Sequence, residues 1–131
     1  MFLLDTDIVI YALKGNDKVL DNLRLHLHDP MQISTISLME LYYGACKSRL
    51  VDANMARIKA LETAFPILSP GPETCEVFGK IKAGLEAEGA RLDDMDVIIA
   101  AIALANNLIL VTNNQKHFSR IQGLKLANWA S

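Results

Sequence analysis

The chain has 131 residues, 51% of them hydrophobic and 21% charged, with a formal net charge of −2. That length suits a single domain, 1–131, and the apolar content excludes a disordered chain. The longest unbroken apolar run, Val97–Ala105, is too short for a membrane span of about 20 residues, and the charge balance does not mark a nucleic-acid binder.

In chain order, Phe2 to Leu4 reads as a short strand running into a helix over Thr6 to Leu13, closed by Gly15. Asp17 to Leu27 follows as a helix, with Val19, Leu20, Leu23 and Leu27 on one face. Met31 to Thr35 is a short strand, and Ser37 starts a helix that runs to about Lys47. The next helix, Asp52 to Phe65, carries Met55, Ile58, Leu61 and Phe65 as its stripe. Pro66 and Pro70 bracket an extended Ile67-Leu68. Pro72 suits a helix start and Gly89 its stop. Asp93 or Asp94 caps a helix that ends at Asn106-Asn107. Leu108 to Val111 is apolar throughout, as a central strand would be, and Leu124 to Leu126 suits an edge strand.

Short strands alternating with helices imply a three-layer α/β/α domain with a short central parallel sheet. Sites in such sheets form at the carboxyl ends of the strands. The first strand ends at Asp5, and the apolar strand ends at Thr112, Asn113 and Asn114. Glu40 and Asp96 lie at helix N-termini, which can face the same edge.

Each of these residues also has a plain structural reading. Asp5 suits a helix N-cap, although Asp7 can serve there too. Ser37-x-x-Glu40 matches a capping box, in which Glu40 reaches back to the first amide. Asp93, Asp94 and Asp96 exceed what one cap requires, so Asp93 and Asp94 are taken as caps and Asp96 as functional. Asn113 and Asn114 suit a turn.

Several carboxylates at the ends of apolar elements nonetheless need compensation. Two of them about 4 Å apart repel by roughly 4 kcal/mol at an effective dielectric of 20. A divalent cation removes that conflict and activates water for attack on phosphorus. Oxygen donors favour Mg²⁺ or Mn²⁺ over Zn²⁺. His26, His28 and His117 do not make a zinc set, and His26 and His28 read as surface residues. Lys80, Lys82, Arg91, Lys116, Arg120 and Lys125 all fall in the C-terminal half, where a basic rim is one reading and ordinary surface the other. Cys46 and Cys75 show no ligand spacing, and the start lacks a basic leader. Reduced core thiols in a cytoplasmic protein are therefore expected.

The motifs Leu3-Leu4-Asp5-Thr6-Asp7, Ser37-x-x-Glu40-Leu41-x-x-Gly44, Asp96-x-x-Ile99-Ala100 and Leu110-Val111-Thr112-Asn113-Asn114 occur in that order. With His117-Phe118 and the closing Gly123-Leu124-x-Leu126-x-x-Trp129, the chain resembles the PIN-domain ribonucleases from end to end. Within them it is most similar to the VapC toxins of toxin–antitoxin pairs. The resemblance implies an endoribonuclease dependent on Mg²⁺ or Mn²⁺. It makes Asp5, Glu40 and Asp96 the acidic ligands and Asn114 the fourth catalytic position. Thr112, Asn113 and Asp94 become supporting residues, with Lys116 and Arg120 on the substrate. It further implies structured RNA such as tRNA as substrate, a homodimer, a VapB-type antitoxin, and contact with operator DNA only through that antitoxin. Asp7 departs from the pattern, standing where the family often has Asn. Asp93-Asp94 likewise replaces a common Gly-Pro.

Two alternatives stand beside this. The Asp5-Thr6-Asp7 start also resembles a haloacid-dehalogenase-type phosphatase with Asp5 as nucleophile, but there the Ser/Thr-ended strand precedes the last acids, and here Thr112 follows them. The other is a PIN-like module that binds without catalysis.

Overall fold

The computed structural model describes residues 1–131, and it forms one α/β/α sandwich. Its elements are β1 (Phe2–Leu4), α1 (Thr6–Leu13), α2 (Asp17–Leu25), β2 (Met31–Ser34), α3 (Thr35–Cys46) and α4 (Val51–Ala64). The second half adds β3 (Ile67–Leu68), α5 (Pro72–Ala87), α6 (Asp94–Ala105), β4 (Ile109–Val111), α7 (Gln115–Phe118) and β5 (Leu126–Ala127). The five strands are all parallel, in the order β3-β2-β1-β4-β5. The central strand is therefore β1 and not β4, which lies beside it. The strand order reverses between these two, and that is where a doubly wound sheet opens a crevice.

Alternation along the strands divides the core. Phe2, Leu4 and Val111 face one side, where α1 to α4 supply Ile8, Val9, Val19, Leu38, Leu41 and Ile58. Leu3 and Leu110 face the other, against Val97, Ile99, Ile102 and Phe118 of α6 and α7. Six consecutive or near-consecutive side chains of α6 are buried, including Ala100, Ala101 and Ala103. Such a helix is apolar nearly all round because it lies inside. The apolar run beginning at Val97 is thus core, and no helix is long and apolar enough to cross a membrane.

The helix ends follow local chemistry. Pro72 opens α5. Gly15 and Gly89 take positive φ just beyond α1 and α5, which glycine does without steric penalty. Two expected boundaries moved. Helix α2 ends at Leu25, leaving Leu27 exposed. The last strand falls at Leu126–Ala127, pairing with Leu110 and Val111.

Two side-chain expectations are corrected. Cys46 and Cys75 are free but exposed, not core thiols. His26 is half-buried, not a surface residue. Its ring stacks on Trp129 at 4.8 Å and meets Phe2 edge-on at 5.0 Å, fastening the end of the chain beneath the sheet.

Candidate active site

Asp5 ends the central strand and begins α1 at once. Its backbone amide is still held to the Val111 carbonyl of β4, while its own Oδ1 accepts from the Thr6 amide at 2.8 Å as the helix N-cap. Asp5 therefore caps the helix in addition to standing at the sheet edge. Its Oδ2 accepts from the Thr112 hydroxyl at 2.7 Å. The Thr112 hydroxyl in turn accepts from the Asn114 amide at 3.0 Å. The ends of β1 and β4 are thus tied through side chains as well as through the sheet.

Burial pushes the Asp5 carboxyl up to about 7, and the negative charges of Asp7 and Asp96 add to it. Asp7 is also raised, chiefly by burial. One of its oxygens accepts from the Asn113 amide at 3.1 Å; the other, Oδ1, is buried without any hydrogen-bond partner. Asp96 is raised by burial first and then by the charges of Asp93, Glu40 and Asp7, with His117 acting in the opposite direction. Asp5, Asp7, Asp96 and Glu40 therefore feel one another across one edge of the sheet.

Glu40 reaches this edge differently from what the sequence suggests. The helix begins at Thr35, with Ser34 as N-cap: the Ser34 hydroxyl accepts from the Ser37 amide at 3.0 Å. No capping box between Ser37 and Glu40 forms. Instead the Thr6 hydroxyl donates to Glu40 at 2.7 Å and lies 2.9 Å from the Ser37 hydroxyl. Five polar or charged residues are buried in the chain; four of them, Asp5, Ser34, Ser37 and Thr112, belong to this network. Buried polar groups persist where they are hydrogen-bonded, and here they fix the acids to α1, α3 and β4.

The other expected site residues are placed less centrally. Asn113 is exposed; its side chain donates to the Tyr11 hydroxyl and accepts from Asn128. It holds the loop, with only its amide on Asp7. Asn114 is exposed at the start of α7, and its side chain makes no capping bond. Asp93 caps α6 through the Met95 amide. Asp94 pairs with Lys82 at 3.0 Å, outside the acid network. Lys116 is exposed on α7. Arg120 lines a cavity with Lys80 and Leu104, near the end of α6 opposite Asp96 and about 12 Å along the helix from it.

Sequence reasoning missed Asp7, Thr6 and Ser34. The Asp5-x-Asp7 spacing was the available signal for the first. No three His, Cys, Asp or Glu side chains close into a ligand cage as they stand. Three features suit a hard cation all the same: donors that are all oxygen, a buried Asp7 oxygen without a partner, and the raised Asp5.

Comparison with known proteins agrees with this geometry. The PIN domain family model matches residues 2–124. Ribonuclease VapC2 of Haemophilus influenzae strain Rd is 38% identical over 129 residues, covering 98% of this chain and 97% of that protein. The chain belongs to the VapC family of PIN domains. Another VapC relative, the tRNA(fMet)-specific endonuclease VapC of Shigella flexneri, is 35% identical over 130 residues and matched over 98% of both chains. The fold agrees with that of VapC proteins in solved complexes. The structure of VapBC2 from Rickettsia felis bound to a promoter DNA fragment superposes with a TM-score of 0.92 at 35% identity, covering 98% of each chain. DNA-bound VapBC from Salmonella typhimurium gives 0.91 at 32% identity, covering 98% of this chain and 97% of that one. Membership of this family sets aside the haloacid-dehalogenase alternative.

Proposed function

We propose that this chain is the toxin endoribonuclease of a VapBC-type pair. It hydrolyses RNA phosphodiester bonds with Mg²⁺ or Mn²⁺, and a VapB-type antitoxin neutralises it. The observation that carries this reading is the gathering of Asp5, Asp7, Glu40 and Asp96 at the edge where β1 and β4 end, in a chain of the VapC family.

Asp5, Glu40 and Asp96 are the residues that would hold the cation. Held there, a cation would lower the pKa of the attacking water and offset charge on the phosphate. The chain's own part is orientation. Thr112 fixes Asp5, Thr6 fixes Glu40, and the inner end of α6 presents Asp96. Carboxyl groups raised by burial, as Asp5, Asp7 and Asp96 are, give up protons when a cation arrives, so binding and proton release are linked.

Relatives named for tRNA make tRNA the first substrate to try, and the cytoplasm is where it would be met. Contact with operator DNA is assigned to the antitoxin, and the working unit to a homodimer. A groove beside Glu40, lined by Ile10, Leu13, Leu41, Arg57 and Ile58, is open to a partner segment. A partner lying there would cover that carboxylate.

Expression in a bacterial host tests the toxin reading. Growth arrest is expected with the wild-type chain, and relief with Asp96→Asn or with the co-expressed cognate antitoxin. Normal growth under wild-type expression, with the folded chain accumulating, would favour a module that binds without cutting.

A further inference from the structure

Asp7 has no part in the ligand set just described, yet its setting is the least satisfied in the molecule. It is the one side chain with a buried oxygen that finds no hydrogen-bond partner, Oδ1. An unpaired buried polar atom carries a desolvation penalty that native folds rarely leave standing without a use. The Thr112 hydroxyl acts to lower the Asp7 carboxyl but does not pair with Oδ1. Thr112 has a single proton, already given to Asp5 Oδ2, and its lone pair accepts from the Asn114 amide. The other Asp7 oxygen is fixed by the Asn113 amide, so the carboxylate is not free to turn away.

Asp7 also lies among the acids. Of the charges acting on Asp5, that of Asp7 is the largest, and it reaches Asp96 as well. Asn114, the position expected to complete the ligand set, is by contrast neutral and exposed.

We propose that Asp7 is a further carboxylate of the cation site, with its buried Oδ1 as a direct ligand, contributing the negative charge that Asn114 does not. The inference rests on the cation-dependent reading above and deepens it. No donor of the chain satisfies Oδ1 where it stands. A cation there balances Asp5, Asp7 and Asp96 together, whereas a proton relieves a single oxygen.

The test is calorimetric titration of the purified chain with Mn²⁺, comparing wild type, Asp7→Asn and Asp94→Asn. The two variants lose the same formal charge, but Asp94 stands outside the acid network, paired with Lys82. Asp7→Asn is expected to weaken Mn²⁺ binding by about tenfold or more, as loss of groups around a metal does. Asp94→Asn is expected to stay close to wild type. Thermal unfolding with chelator present checks that each variant is folded. Should Asp7→Asn not fold, Asp7→Ser, which keeps an oxygen for the Asn113 amide, takes its place with the same expectation. Equal Mn²⁺ affinity in wild type and the Asp7 variant would overturn the role of Asp7 and leave the cation reading intact. Equal weakening by Asp94→Asn would reduce the effect to overall charge and overturn it too. No Mn²⁺ binding by the wild type would remove the cation reading itself.

Discussion

The Thr112 hydroxyl donates to Asp5 Oδ2 at 2.7 Å, joining residues 107 positions apart in sequence. Both are buried, and the bond ties the ends of β1 and β4 together. This contact is the point where the fold and the site become one object.

Removing that hydroxyl should be felt in both. Thr112→Val leaves a buried carboxylate oxygen unpaired and is expected to destabilise the chain by about 1–3 kcal/mol in urea unfolding. The hydrogen bond also pulls Asp5 down, so its loss should move the alkaline rise of the pH–rate profile to higher pH. Thr112→Ser should restore both. An unchanged pH profile in the valine variant would show that Thr112 does not act on Asp5.

Stability in the presence of chelator should depend on pH in an unusual sense. The Asp5 carboxyl is raised from 3.8 in the unfolded chain to about 7 by burial, then by the charges of Asp7 and Asp96. Between these values the folded chain holds a proton that the unfolded chain has lost. The contribution of Asp5 is complete below 3.8 and disappears as pH rises through about 7, at about 1.4 kcal/mol per pH unit for one proton. Asp7 and Asp96, raised in the same direction, add to the fall. Asp5→Asn should flatten the curve and be more stable than wild type near pH 8. Thermal unfolding from pH 5 to 8 measures this; a wild-type curve that rises across that range would contradict it.

Asp96→Asn separates chemistry from packing. Asp96 is half-buried at the head of a helix whose buried face begins at Val97. The substitution should lower cleavage by at least about a hundredfold while the melting temperature with chelator stays level or rises. Parallel loss of both would make Asp96 a structural residue.

The core beneath the site makes a different demand. Phe118 is fully buried between α6 and the sheet. Phe118→Ala is expected to destabilise by about 3–5 kcal/mol, through lost burial and the cavity left behind. Urea unfolding measures it; a change under about 1 kcal/mol would mean that the pocket collapses around the smaller side chain.

The alternation of strands and helices was readable because each apolar run was short and four of the helices, α1, α4, α5 and α6, stop at Gly15, Pro66, Gly89 and Asn106. Asp5 and Thr112 were readable because they follow strands. The start of α3 was not. Ser34-Thr35-Ile36-Ser37 offers two serines, and the pairing of Ser37 with Glu40 looks like a local cap until Thr6, from another element, claims Glu40. His26 was misjudged for a similar reason: its partner Trp129 lies at the other end of the chain, so no periodicity reveals the contact. Asp7 was passed over as a spare cap. Its carboxylate is held by the Asn113 amide, which arrives only once β4 is in place.

The most direct measurement is cleavage of a panel of tRNAs and other structured RNAs by the purified, antitoxin-free chain, with Mg²⁺ or Mn²⁺ and with chelator, beside Asp5→Asn. The expected result is site-specific cutting that needs the cation and is lost in the variant, while the variant keeps its fold. Cutting that persists in chelator, or that survives Asp5→Asn unchanged, would contradict a site built around Asp5.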